Sequence, residues 1–229
     1  GIEKDLIQPA SIDLRLGLKA WRVPASFLPG KENRVSSRLK DLAMHEFSLM
    51  DGAVLECGCV YIVKLLENVR LTENLTGIAN PKSSTGRLDV FTRLIVDGSM
   101  EFEEVPAGYE GPLYAEISPR TFSILVRTGS RLNQLRLRRG QSFTTDKEME
   151  LLQEHVGLVR NQNDIDLPDK IKNGVPLSVD LVGENGLIGY KARKHSMLID
   201  IDKPNSYKRE LFWEKITPED LVYQKGNYQ

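Results

Sequence analysis

Through the first 140 residues the apolar positions fall in short runs separated by polar and turn residues. Cys59-Val60-Tyr61-Ile62-Val63 is rich in β-branched and aromatic residues. Leu113-Tyr114-Ala115-Glu116-Ile117, Phe122-Ser123-Ile124-Leu125-Val126 and Leu132-Asn133-Gln134-Leu135-Arg136-Leu137 follow within one stretch, and all four read as β-strands. Gly86, Gly98, Gly108, Gly111, Gly129 and Gly140 mark the turns. Short strands at this spacing predict a compact β barrel or sandwich. The pattern then changes. Thr145 and Glu148 form a capping box ahead of Met149, Leu152 and Val156 at helical spacing, which predicts a short helix closing a first unit over residues 1–158. Residues 159–174, rich in Asn, Asp and Pro, read as a connector. Beyond it, Ser178-Val179-Asp180-Leu181-Val182-Gly183 echoes Ser11-Ile12-Asp13-Leu14-Arg15-Leu16-Gly17, so residues 175–229 are expected to begin a second, incomplete copy.

Composition narrows the partners. A formal charge of −1 over 229 residues gives no general attraction for nucleic acid or membrane, so an anionic ligand has to be held by a local cluster. No run approaches a membrane span and the amino terminus lacks a signal-peptide order, which predicts a cytoplasmic protein. Arg127, Arg131, Arg136, Arg138 and Arg139 are split between two faces by strand alternation, so a polymer-binding stripe is not expected. Cys57 and Cys59, spaced C-x-C on an expected strand, read as buried reduced thiols on one face.

The densest chemistry lies in Ala79-Asn80-Pro81-Lys82-Ser83-Ser84-Thr85-Gly86-Arg87-Leu88. A strand ends at Pro81 and hydroxyl residues open a candidate helical turn, whose free N–H groups favour an anion. Lys82 and Arg87 add full charges, and the guanidinium suits bidentate phosphate contact. A plain helix cap with two solvated cations fits the same spacing. The Walker pattern is missing.

Four motifs together resemble the dCTP deaminases of the dUTPase superfamily. Pro81-Lys82-Ser83-Ser84-Thr85-Gly86-Arg87-Leu88 is similar to the Arg-Ser-Ser-x-x-Arg-Leu phosphate motif, and Ile7-Gln8-Pro9-Ala10-Ser11-Ile12-Asp13-Leu14-Arg15-Leu16-Gly17 to the opening strand. Gly108-Tyr109-Glu110-Gly111-Pro112-Leu113-Tyr114-Ala115-Glu116 resembles the G-W/Y-x-G turn and the strand bearing the deaminase glutamate. Gly129-Ser130-Arg131-Leu132-Asn133-Gln134-Leu135 resembles the dUTPase G-x-R-x-x-Q motif.

The resemblance implies an all-β, distorted dUTPase-like barrel with a short helix. It implies deamination of dCTP to dUTP and ammonia, with Mg2+ accompanying the triphosphate. Lys82, Ser83, Ser84, Thr85, Gly86 and Arg87 would hold the phosphates, with Tyr114 and Ala115 also binding substrate. Tyr109 would pack against the deoxyribose, although a tyrosine between glycines is equally a turn anchor. Glu116 would be the general base and acid; by residue type alone it is an outward-facing strand carboxylate. Zinc is not expected, because His45, His155 and His195 are scattered and no C-x-x-C occurs. The resemblance also implies a homo-oligomer with active sites between copies. The base-recognition loop departs from the family pattern: Glu103-Glu104-Val105-Pro106-Ala107 lacks its polar base contacts, so another copy of the fold would supply that half-site. A dUTP diphosphatase and a non-catalytic nucleotide-binding unit are the rival readings.

Overall fold

The computed structural model describes residues 3–140, 144–160, 171–175 and 179–223, with residues 221–223 as backbone only. Much of the expected connector, and Ser178 of the expected echo, lie outside the described residues. In chain order the elements are β1 (Ile12–Val23), α1 (Val35–Leu42), β2 (His45–Ser48), β3 (Ala53–Leu55), β4 (Val60–Arg70), β5 (Leu75–Pro81) and α2 (Ser83–Arg87). They continue with β6 (Val90–Val96), β7 (Glu104–Val105), β8 (Glu110–Pro119), β9 (Ile124–Val126), β10 (Arg131–Arg139) and α3 (Asp146–Val156). The last are β11 (Gly189–Ala192), β12 (Ile199–Asp200), β13 (Trp213–Ile216) and α4 (Pro218–Tyr223).

Eight strands make the main sheet, in the order β6-β8-β4-β1-β10-β5-β7, with β2 added on β1. β1 serves two neighbours: Ile12 to Arg15 pair with β10, and Leu16 to Val23 with β4. Register shifts after Leu14 and between Leu16 and Ala20 let one strand turn the corner. Gly17 lies in that irregularity, and a Cβ there would collide with the Lys64 carbonyl. The ends of the sheet meet at Glu103, whose N–H donates to Leu94 O of β6 (2.9 Å) and whose carbonyl accepts from Ala79 N–H of β5 (2.8 Å). The result is the expected mostly β, nearly closed barrel.

Inward-facing Leu16, Tyr61, Val63, Leu94, Leu113 and Ile117 fill its core. The opposite face of the same wall carries a second cluster, Ile62, Ile95 and Tyr114 with Val23, Val35 and Leu39, so α1 covers the outside of β4, β6 and β8. Strand alternation therefore buries both faces of β8, with Leu113, Ala115 and Ile117 on one and Tyr114 and Glu116 on the other.

The chain divides into two compact units, the first running to Gly140 and regaining Ala192–Trp213. That return is a strand pairing: β12 adds in parallel to β9, which also pairs with β3. Arg127 fastens it, donating to both oxygens of Asp200 at 2.7 and 2.9 Å. Helix α3 has the expected capping box, but it belongs to the second unit, and Leu152 and Val156 on its apolar side are exposed. The cysteines also differ from expectation. Cys57 and Cys59 occupy the turn between β3 and β4, where Gly58 adopts a φ of 81°, so Cys57 is exposed and Cys59 half-buried, both as free thiols.

Candidate active site

Strand β5 ends at Pro81, and Lys82 turns the chain into α2 with extended backbone angles. Its N–H donates to Leu132 O of β10 (2.8 Å), while its carbonyl accepts from Thr85 and Gly86 N–H. Thr85 is buried and its hydroxyl donates to the same Leu132 carbonyl (3.0 Å), so this side chain anchors α2 to the barrel. Ser83, Ser84, Gly86 and Arg87 are exposed, and among the described residues no hydrogen bond or ion pair occupies the two serine hydroxyls or the Arg87 guanidinium. Lys82 is different. Its ammonium is paired with Asp13, a buried residue of the opening strand, with Arg131 3.9 Å from the same carboxylate oxygen. Among the described residues the segment thus presents one free cation and two hydroxyls, and its lysine charge is shared with the interior.

Glu116 is only 1% exposed, so the reading as an outward-facing strand carboxylate does not hold. It stands opposite Arg93 across the β6–β8 pairing. Arg93 donates from Nε (3.1 Å) and Nη2 (2.6 Å) to Glu116 Oε1, and from Nη2 to Ser26 Oγ (2.6 Å). Phe102 lies over the guanidinium, 3.5 Å from ring centre to carbon. Oε2 of Glu116 is buried without a partner, a costly arrangement that marks a place for a proton or a ligand group. Glu103 is the second acid nearby: its Oε2 is also buried and unpartnered, and burial pushes its carboxyl up to about 7.

Tyr109 is half-buried, donating to Pro112 O (2.7 Å) and accepting from Asp97 N–H (3.3 Å), so in this chain it ties the turn to the end of β6. Burial raises its phenol to about 12. Tyr114 reaches the outer cluster and lines a groove of about 510 Å3 with Trp21, Ser36, Leu39 and Lys64, whereas Ala115 is sealed in the main core. No hydrogen bond or ion pair joins α2 to the Arg93–Glu116 pair among the described residues. The same residues contain no group of three or more His, Cys, Asp or Glu placed to hold a metal ion.

Sequence reasoning missed Arg93, Ser26 and the inward placement of Glu103. The available signal was Arg93 itself, a lone charge inside the apolar run Val90-Phe91-Thr92-Arg93-Leu94-Ile95-Val96.

The family model for the 2'-deoxycytidine 5'-triphosphate deaminase (DCD) N-terminal domain matches residues 1–141, and that for the C-terminal domain matches residues 145–228. A crystal structure of 2'-deoxycytidine 5'-triphosphate deaminase from Agrobacterium tumefaciens is 49% identical over 95% of this chain, with a TM-score of 0.86. The chain spans 64% of that relative's length. A mutant dUTPase from phage phi11 of S. aureus is 16% identical over 41% of the chain and 74% of its own, and its TM-score of 0.31 is too low to align any site residue. No curated protein matches. Models for both domains of one enzyme cover nearly the whole sequence in order, and on that ground the chain belongs to the 2'-deoxycytidine 5'-triphosphate deaminase family.

Proposed function

We propose that this chain serves the hydrolytic deamination of dCTP, in which dCTP and water give dUTP and ammonia. The observation that carries this reading is Glu116: a buried carboxylate held through one oxygen by Arg93, with the other oxygen unpartnered, on the strand that follows the Gly108-Tyr109-Glu110-Gly111 turn. Water attacking C4 of cytosine has to lose a proton, while N3 and then the departing amine have to gain one. A single fixed carboxylate oxygen that accepts and returns protons meets both needs, and exclusion of bulk water keeps those protons in the site.

The triphosphate would lie on α2, with Ser83 and Ser84 hydroxyls donating to its oxygens and Arg87 making the planar contact. Thr85 and Gly86 would contribute through the backbone, and Lys82 through the charge it shares with Asp13. This segment offers hydroxyls and a cation but no carboxylate, so Mg2+ would be held by the phosphate oxygens and its own waters rather than by the protein. Tyr109 and Tyr114 would shape the sugar and base side, next to Ala115. The loop Glu103 to Ala107 lacks polar base contacts, which supports a homo-oligomeric site shared between copies of the fold, the second beginning near residue 175. Exposed free Cys57 fits a reducing cytoplasm. Among the described residues no helix is long and apolar enough to cross a membrane.

Mass analysis of products after incubation with dCTP and Mg2+ tests the reading, using the chain alone and with any residues that follow Gln229 in the natural protein. We expect dUTP and ammonia, with strong activity only from the longer form. Formation of dUMP and pyrophosphate from added dUTP would favour a diphosphatase, and unchanged nucleotides a binding unit.

A further inference from the structure

One guanidinium and two carboxylates meet at the wall around Glu116, and their charges do not balance. The charged groups acting on Glu103 are Arg93 from β6 and Glu116 from β8. Arg93 spends its donors on Glu116 Oε1 and Ser26, which leaves Oε2 of Glu116 and Oε2 of Glu103 buried without partners. One buried positive charge compensates one carboxylate. Ionising the second would strand a charge in the interior, which proton uptake avoids.

The backbone gives Glu103 no room to withdraw. Its N–H and C=O make the bonds that join β6 to β5, and its φ is 70°, a left-handed conformation that costs a residue bearing a Cβ about 1–3 kcal/mol unless its surroundings impose it. Closure of the barrel imposes it here. The preceding Phe102 covers Arg93, so consecutive residues address the two members of the pair.

We propose that Glu103 shares one proton with Glu116, and so acts as a positioning residue for the Glu116 carboxylate while Arg93 balances the remaining charge. The proton comes from solvent, and only an O–H bond is made or broken. The two orphaned oxygens become donor and acceptor of one hydrogen, which removes both unsatisfied groups at once. The titration behaviour of Glu103 agrees: burial raises it to about 7, a backbone bond at Leu94 and the Arg93 charge oppose that rise, and the Glu116 charge adds to it. The consequence for catalysis rests on reading Glu116 as the group that handles the proton of water. A neighbour able to take up or release a proton near neutral pH lets Glu116 alternate between base and acid without exchange with bulk solvent.

The test is an NMR pH titration of glutamate side-chain carboxyl carbons in the full 229-residue chain, as the unmodified protein, Glu103→Gln and Glu104→Gln. We expect the Glu103 and Glu116 signals to move together in a step near pH 7. That step should vanish from Glu116 in Glu103→Gln and persist in Glu104→Gln, which alters only the exposed neighbour. If the first variant does not fold, Glu116→Gln serves instead, and its Glu103 step should move to lower pH. A Glu103 signal that titrates alone in the ordinary carboxylate range, or one unmoved by Glu116→Gln, overturns the proposal. The titration needs no turnover, so a coupled pair in a protein that leaves dCTP unchanged refutes the deaminase reading alone, and uncoupled acids in an active enzyme refute the shared proton alone.

Discussion

Arg93 faces Glu116 across neighbouring strands and places two donors, at 3.1 and 2.6 Å, on a single oxygen of its carboxylate. A one-sided grip of this kind fixes the acid in orientation while leaving its second oxygen free. The arginine lies outside every motif that the family resemblance draws on, yet it determines the environment of the residue those motifs single out.

Removing Arg93 should therefore cost stability as well as function. Arg93→Ala strands a buried carboxylate, a loss of about 3–5 kcal/mol for a fully buried pair, and the lower end applies because a quarter of the Arg93 side chain reaches solvent. Denaturant unfolding of Arg93→Ala, Glu116→Gln and the double variant checks this. The double variant should recover most of the loss, and equal losses in Arg93→Ala and the double variant would show that packing on Phe102 dominates.

Residues of α2 should separate cleanly into ligand contacts and anchors. Arg87→Ala should weaken binding of a non-reacting dCTP analogue by about 1.5–3 kcal/mol without changing stability, because its guanidinium is exposed. Thr85→Ala should instead cost about 1 kcal/mol of stability through the lost bond to Leu132. Calorimetric titration and thermal melts of both variants distinguish the two roles.

Tyr109→Phe removes a hydroxyl that serves two backbone groups, and should cost about 1–3 kcal/mol in stability measured by denaturant unfolding. Gly111→Ala should destabilise the same turn, since its Cβ would stand 2.7 Å from the Tyr109 hydroxyl. A Tyr109→Phe protein of unchanged stability but weakened nucleotide binding would assign the ring to ligand contact alone.

The returning segment should loosen in acid. The Arg127 hydrogen bonds hold the Asp200 carboxyl down at about 2, below its ordinary 3.8, so this contribution to stability is present above 3.8 and is lost as pH falls through about 2. Trp213 packs edge-on against Phe122, with ring centres 5.1 Å apart, and reports on this region. In a Trp21→Phe background its fluorescence should shift in that window, and Asp200→Asn should produce the shift already at neutral pH.

Glu103 should give the opposite slope. Its folded carboxyl titrates at about 7 against an ordinary 4.5, so its contribution is full below 4.5 and is lost as pH rises through about 7. Melting curves across this range should show Glu103→Gln gaining on the unmodified protein as pH increases, and parallel curves would contradict the assignment.

Features governed by a few neighbouring residues were legible in the amino-acid order. The capping box of Thr145 and Glu148 forms as written, because both partners lie within one turn. The hydroxyl-rich stretch after Pro81 makes a short helix, and alternating apolar runs become the strands of a barrel. Gly58 shows the local limit: a residue between two cysteines ended a strand that β-branched composition alone extended. The charge partners were of another kind. Lys82 finds Asp13 at a separation of 69 residues, and Arg93 finds Glu116 only through the antiparallel register of β6 on β8. Glu103, expected to sit on a loop emptied of function, is turned into the wall because its own backbone closes the barrel. Turn chemistry and periodicity act over a few residues and can be read along the chain. Strand register, barrel closure and the balance of buried charge exist only once distant segments meet, so they decided which of the candidate groups are paired, buried or free.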